Sequence, residues 1–137
     1  MSTTNTEFRA RARTSNADIT SSIYKTASNL VASDNAGGGS VQGGYGGWNF
    51  TYIPIQRGTN NGATYEGAGQ ATIFDPLSTT GYKQIQIEMQ HIWQDLTQIF
   101  AQQQYAQCDT TSALSGISFY PASGNITSGT FKLYGIK

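Results

Sequence analysis

From residue 84 to residue 90 the chain alternates strictly: Ile85, Ile87 and Met89 are interleaved with Gln84, Gln86, Glu88 and Gln90. A period of two sends one set to each face of an extended strand, so this stretch reads as a strand with one face in a core. Phe8, Ala10 and Ala12 alternate in the same way with Arg9, Arg11 and Arg13. Weaker strand signals surround Ile19, Ile23 and Tyr24, and further short apolar runs lie at 48–55, 70–74, 117–120 and 131–136. Pro54 assigns its run to an edge or a strand end, because proline cannot donate to a ladder. Between the runs stand turn formers such as Gly58-Thr59-Asn60-Asn61-Gly62, Asp75-Pro76 and Thr80-Gly81. With a returning strand at 98–107 this makes eight short strands and no strand-helix-strand alternation. The fold class expected is all-β, a single-domain antiparallel β-sandwich. No internal repeat points to a solenoid or propeller.

Two stretches are less plain. Gln90, Gln94, Gln98 and Gln102 recur every fourth residue, with Trp93, Leu96, Ile99 and Phe100 opposite them, which is the pattern of an amphipathic helix at 92–103. A strand continuing through Trp93, a turn near Asp95 and a strand returning at 98–107 forms a long central hairpin instead, and the fold-level reading favours the hairpin. Residues 35–47 hold seven glycines and read as an exposed Gly-rich loop.

At 137 residues the chain makes one domain, 1–137. Only 12% of residues are charged, against about 25% in most soluble domains, and eight Lys and Arg balance eight Asp and Glu. So weak a field has little to offer a phosphate backbone, so no nucleic-acid partner is expected. Zero net charge also removes the self-repulsion that keeps chains apart, which favours association. Cys108 is the single cysteine, which excludes an internal disulfide framework and a Cys-based zinc cluster. The opening residues lack the apolar core of a signal peptide, and no run approaches 18 apolar residues, so no membrane partner is expected.

The residues offer little for catalysis. His91 is the one histidine, and no Gly-x-Ser-x-Gly elbow accompanies it. The carboxylates stand singly, at 7, 18, 34, 66, 75, 88, 95 and 109, without metal-ligand spacing. Glu88 and Asp95 fall on opposite faces of a strand and cannot flank one glycosidic bond. Neither an enzyme nor a metal or cofactor is expected. Tyr45, Trp48, Tyr52 and Tyr65 lie in or beside the Gly-rich segments, where they can stack on a sugar or a partner protein, or else seal the ends of the sandwich. Arg9, Arg11 and Arg13 are a candidate assembly face, or a solvated face that protects an edge.

The runs at 117–120 and 131–136 flank Pro121, Gly124, Asn125 and Gly129, and read as a β-hairpin closing the fold, with Leu133, Tyr134 and Ile136 docked into a sheet. The succession Ser123-Gly124, Gly129 and then Leu133-Tyr134-Gly135-Ile136 resembles the C-terminal module of bacteriophage tail-fibre and related exterior virion proteins. Upstream, the Arg-bearing strand at 8–13, Ile23-Tyr24, a Gly-rich crossing, an Ile73 to Pro76 strand end and Tyr82-Lys83 occur in the order seen in such modules. The resemblance implies a jelly-roll sandwich with a non-enzymatic structural role on the particle exterior, at the tail or tail fibre, in assembly and host attachment. It implies a homotrimer whose partners are other virion proteins of tail or capsid and a host surface glycan, made in the host cytoplasm and located in the virion. A capsid-decorating cement protein and a lectin-like carbohydrate-binding module are the alternatives. The modules carry further strands ahead of the Arg-bearing one, which implies strands supplied by a neighbouring subunit or a trimmed sandwich.

Overall fold

The structure is a computed structural model describing residues 6–33, 38–59, 67–92, 99–126 and 128–135, with the side chains of 6, 40–45, 57–59 and 92 not among them. The described residues form nine strands and no helix: β1 (Thr6–Thr14), β2 (Ala17–Asp18), β3 (Tyr24–Ser33), β4 (Gly39–Phe50), β5 (Ile53–Thr59), β6 (Ala68–Phe74), β7 (Lys83–Ile92), β8 (Ile99–Cys108) and β9 (Gly116–Pro121). They build two antiparallel sheets. Sheet B runs in the order β4-β3-β8-β7-β6. In sheet A, residues 8–10 of β1 pair with both β5 and β9, and Arg13 pairs with both β2 and β9. Strand β9 therefore lies along one edge of β1, while β5 and β2 share the other.

The alternating residues dictate how the sheets meet. Ala10 and Ala12 of β1 and Ile53 and Ile55 of β5 face Ile85 and Ile87 of β7 and Ala106 and Cys108 of β8, with Tyr24 and Leu114 closing the same core. This is the layout of a β-sandwich. Pro54 sits in β5, which pairs only with β1 among the described residues, as its missing N–H requires. Ser15 and Asn16 both have positive φ, 48° and 64°, and make the tight turn that folds β2 back on β1. Lys83 is buried in the core end of β7, its ammonium donating to Ser78 O at 2.5 Å and Gly81 O at 3.1 Å. Those carbonyls satisfy the charge that burial would otherwise leave without partners.

The central hairpin is present: β7 and β8 pair without a break from Lys83↔Cys108 to Ile92↔Ile99. Its connection, including Trp93 and Asp95, lies outside the described residues. Over residues 99–103 tertiary pairing prevails over the helical period of the glutamines, since β8 gains a partner strand on each side, β7 and β3.

Two expectations need correction. The Gly-rich stretch is not a loop where it is described, because residues 39–47 belong to β4 and pair with β3. Glycine is used for closeness: a Cβ on Gly46 would come 2.7 Å from Thr26 O, and one on Gly47 would come 2.7 Å from the Phe50 ring. The C-terminal hairpin is also absent among the described residues. β9 pairs with β1, but residues 128–135 form no strand. The stretch between Pro121 and Phe131 is longer than the two to five residues that commonly set hairpin register. Phe131 stacks on Phe119, ring centres 5.6 Å apart, and residues 132–135 are exposed.

Candidate functional site

Alternation gives sheet B a second, outward face. Ile85, Ile87, Gln102, Gln104 and Ala106 are buried, so their neighbours along β7 and β8 point away from the core. Register assembles those neighbours into rows. Asn29, Gln103, Glu88 and Gln70 stand side by side across four strands, flanked by a row of Ala27, Tyr105, Gln86 and Thr72 and one of Val31, Ala101, Gln90 and Ala68. A fourth row holds Lys25, Gln107, Gln84 and Phe74. Six of the chain's 12 glutamines lie on this one face.

The polar side chains bond to one another around Glu88. Its Oε2 accepts from Gln70 Nε2 at 3.1 Å, and its Oε1 accepts from Gln86 Nε2 at 3.1 Å and from Gln103 Nε2 at 3.4 Å. Tyr105 OH donates in turn to Gln103 Oε1 at 3.4 Å. Three amides from three strands thus fix one carboxylate, and each amide keeps a second N–H for another acceptor. A trough of about 610 Å³ opens over this row, with Val31, Ala68 and Ala101 supplying apolar surface beside Asn29, Gln70, Glu88 and Gln103.

Farther along the face, Lys25 Nζ pairs with Asp109 Oδ2 at 2.5 Å and lies 5.0 Å from the Trp48 ring centre, while Gln107 Nε2 donates to Asp109 Oδ1 at 2.6 Å. The Lys25 hydrogen bond, and after it that of Gln107, holds the Asp109 carboxyl below its usual range. Asp109 and Glu88 are separated by about 20 Å along the strands, at ~3.4 Å per residue. That separation is too wide for the two to act on one glycosidic bond.

Of the aromatic residues singled out by the sequence, Trp48 and Tyr52 are described, and they have different neighbours. Trp48 stands over Lys25 and is 75% exposed. Tyr52 lies elsewhere, its ring 3.9 Å below the Arg9 guanidinium and tilted against Phe50. Tyr65 and the side chain of Tyr45 lie outside the described residues. The three arginines are each engaged within the chain. Arg9 pairs with Glu7 at 2.6 Å, Arg11 donates to Thr51 O at 2.9 Å and covers the Tyr120 ring, and Arg13 pairs with Asp18 at 3.1 Å and bonds Asn16 O. Of the C-terminal motif, Ser123, Gly124, Gly129, Leu133, Tyr134 and Gly135 are exposed, Gly124 with φ of 76°, and Ile136 lies outside the described residues.

The Glu88 cluster is what residue-by-residue reading misses. Its signal is present: Gln84, Gln86, Glu88 and Gln90 alternate on one strand, and Gln103, Tyr105 and Gln107 alternate on the other. Only hairpin register shows that both sets share a face. No family model, curated protein or solved structure matches the chain.

Proposed function

We propose that the chain is a non-enzymatic structural protein of a bacteriophage particle, placed on the exterior at the tail or tail fibre and acting in assembly and host attachment. One observation carries the assembly role. Phe131, Leu133 and Tyr134 are 61%, 96% and 75% exposed, and Phe131 stacks on Phe119 of β9, a strand whose outer edge is unpaired among the described residues. Apolar side chains so placed gain about 25 cal/mol for each Å² covered by a neighbour, and an open edge accepts a strand from one. Zero net charge lets copies approach without repulsion. A homotrimer with this segment between subunits is the assembly proposed. The resemblance of Ser123-Gly124, Gly129 and Leu133-Tyr134-Gly135 to phage exterior modules supports the location.

The jelly-roll form belongs to the same proposal. It is supported by two long-range pairings, β1 with β9 and β3 with β8, that wrap early strands onto late ones. The hairpins β3–β4 and β6–β7–β8 stay within sheet B, so the chain crosses between sheets only outside them.

Light scattering of the purified chain tests the assembly. The expected mass is three times 14.7 kDa, falling to one chain when Leu133 and Tyr134 are both changed to Ser. A monomer at high concentration, or an oligomer indifferent to the double change, contradicts it. Protein analysis of purified particles tests the location, with the chain present at fixed stoichiometry as the expected result. A cement protein differs only in where on the particle that copy number is found.

A further inference from the structure

We infer that the trough over Glu88 is a binding site for a neutral oligosaccharide, with Glu88 as its central acceptor and Tyr105 as its stacking platform. The inference deepens the attachment role proposed above and rests on that reading for the source of the sugar, a host surface glycan.

Four features of the face converge on this ligand. The first is bonding pattern. A sugar hydroxyl both donates and accepts, and a row of amides around a carboxylate presents both kinds of atom at side-chain spacing. With three amides already bonded to it, Glu88 keeps one acceptor position, on Oε2, for a sugar hydroxyl, while the remaining N–H groups of Gln70, Gln86 and Gln103 donate to ring and hydroxyl oxygens. The second is preorganisation. Glu88 is already held by three amides from three strands, so little side-chain freedom is lost when a ligand arrives.

The third is shape and apolar surface. The trough of about 610 Å³ falls within the size range of small-ligand sites, and Val31 and Ala101 supply apolar contact along it. Tyr105 stands in the next row, 44% exposed, its hydroxyl tied to Gln103. It flanks the trough without lining it, so its ring would cover the C–H face of a pyranose that extends one row beyond the trough, while its oxygen stays in the polar network. The fourth is charge. Among the described residues Glu88 is the one charged side chain lining the trough, so phosphate, sulfate or carboxylate on the ligand meets repulsion. The positive group on the same sheet face, Lys25, is paired with Asp109. A neutral polyol satisfies the site, and an acidic glycan does not.

The test uses the isotope-labelled full chain and amide NMR, titrated with cellotriose, maltotriose, chitotriose and mannotriose, and with 3′-sialyllactose as the acidic comparison. At least one neutral trisaccharide is expected to shift the side-chain amides of Gln70, Gln86 and Gln103, and the sialylated sugar to bind more weakly. Glu88→Gln, which keeps size and packing, is expected to weaken binding at least about tenfold, as is Tyr105→Ala. Leu133→Ser, remote from the trough, is expected to leave binding unchanged. No shift with any neutral sugar to about 20 mM overturns the inference. So do shifts that centre on Trp48 or Tyr52, or binding that is indifferent to both trough variants. If instead Glu88→Gln lowers the oligomeric mass and no sugar binds, the face is a contact between copies and the inference also fails. These readouts do not depend on where the chain resides: absence from particles would remove the virion role and leave the sugar titration standing, and failure of the titration would leave assembly intact.

Discussion

The Tyr24 hydroxyl accepts the backbone N–H of Ala12 at 3.1 Å, tying the first long strand of one sheet to the first strand of the other. The same oxygen donates to Ile19 O at 2.9 Å, and the side chain is wholly buried. Tyr24→Phe keeps the ring and leaves the buried Ala12 N–H and the part-buried Ile19 carbonyl without this partner. The expected loss is about 1–3 kcal/mol, read as a lower urea midpoint with unchanged slope. An unchanged midpoint would mean that the hydroxyl is not a structural tie.

Burial also sets the behaviour of the lone thiol. Cys108 is enclosed in the core, and desolvation, reinforced by Asp109 and opposed by Lys83, pushes it up from 9.0 to about 11. Between those values the unfolded chain loses a proton that the folded chain keeps, so stability falls as pH rises from about 9 to 11 and is unaffected by this group below 9. Urea unfolding at pH 7, 9 and 10.5 should show the decline, and Cys108→Ala should remove the part of it that comes from the thiol. At pH 8 a thiol reagent should label Cys108 only after unfolding. Rapid labelling of the folded chain would contradict its burial.

Glycine spacing in β4 makes a paired prediction. A Cβ on Gly46 would sit 2.7 Å from Thr26 O, a backbone atom that cannot swing aside, whereas one on Gly39 would find Ala32 O at 3.6 Å, an ordinary contact. Gly46→Ala should cost about 1–3 kcal/mol and Gly39→Ala less than about 0.5 kcal/mol. Equal effects would show that β4 is not pressed against β3 as described. In β6, a Cβ on Gly69 would meet Met89 Sδ at 2.1 Å and Glu88 O at 2.3 Å. Gly69→Ala should therefore destabilise the sheet as well as displace the Glu88 row.

Trp48, at 75% exposed, should be dispensable to folding. Trp48→Ala is expected to shift stability by no more than about 0.5 kcal/mol. Cooperative loss of structure would place the ring in the core and remove it from any surface role.

Much of this architecture is legible where polarity alternates. Phe8, Ala10 and Ala12 against Arg9, Arg11 and Arg13, and Ile85 and Ile87 against Gln84 and Gln86, announce their inward faces because burial selects apolar side chains at every second position. The β7–β8 hairpin is harder, since its glutamines satisfy a helical period equally well, and pairing with β3 decides the outcome. The Gly-rich strand is illegible for a simpler reason. Glycine propensity records local freedom, and only the neighbouring strand shows that close approach is what the position needs. The segment after β9 looks like a strand because Leu133 and Tyr134 are apolar, but in one copy of the chain no sheet edge receives them. The Glu88 cluster combines residues from β6, β7 and β8, so no single stretch of sequence contains it.

The most direct test of the central claim is cryo-electron microscopy of intact particles at a resolution that places a 14.7 kDa sandwich. The account predicts density for this chain at the tail or tail fibre, in threefold sets, with Leu133 and Tyr134 covered by a neighbouring subunit. Particles without the chain, or copies whose residues 131–134 remain in solvent, would contradict it.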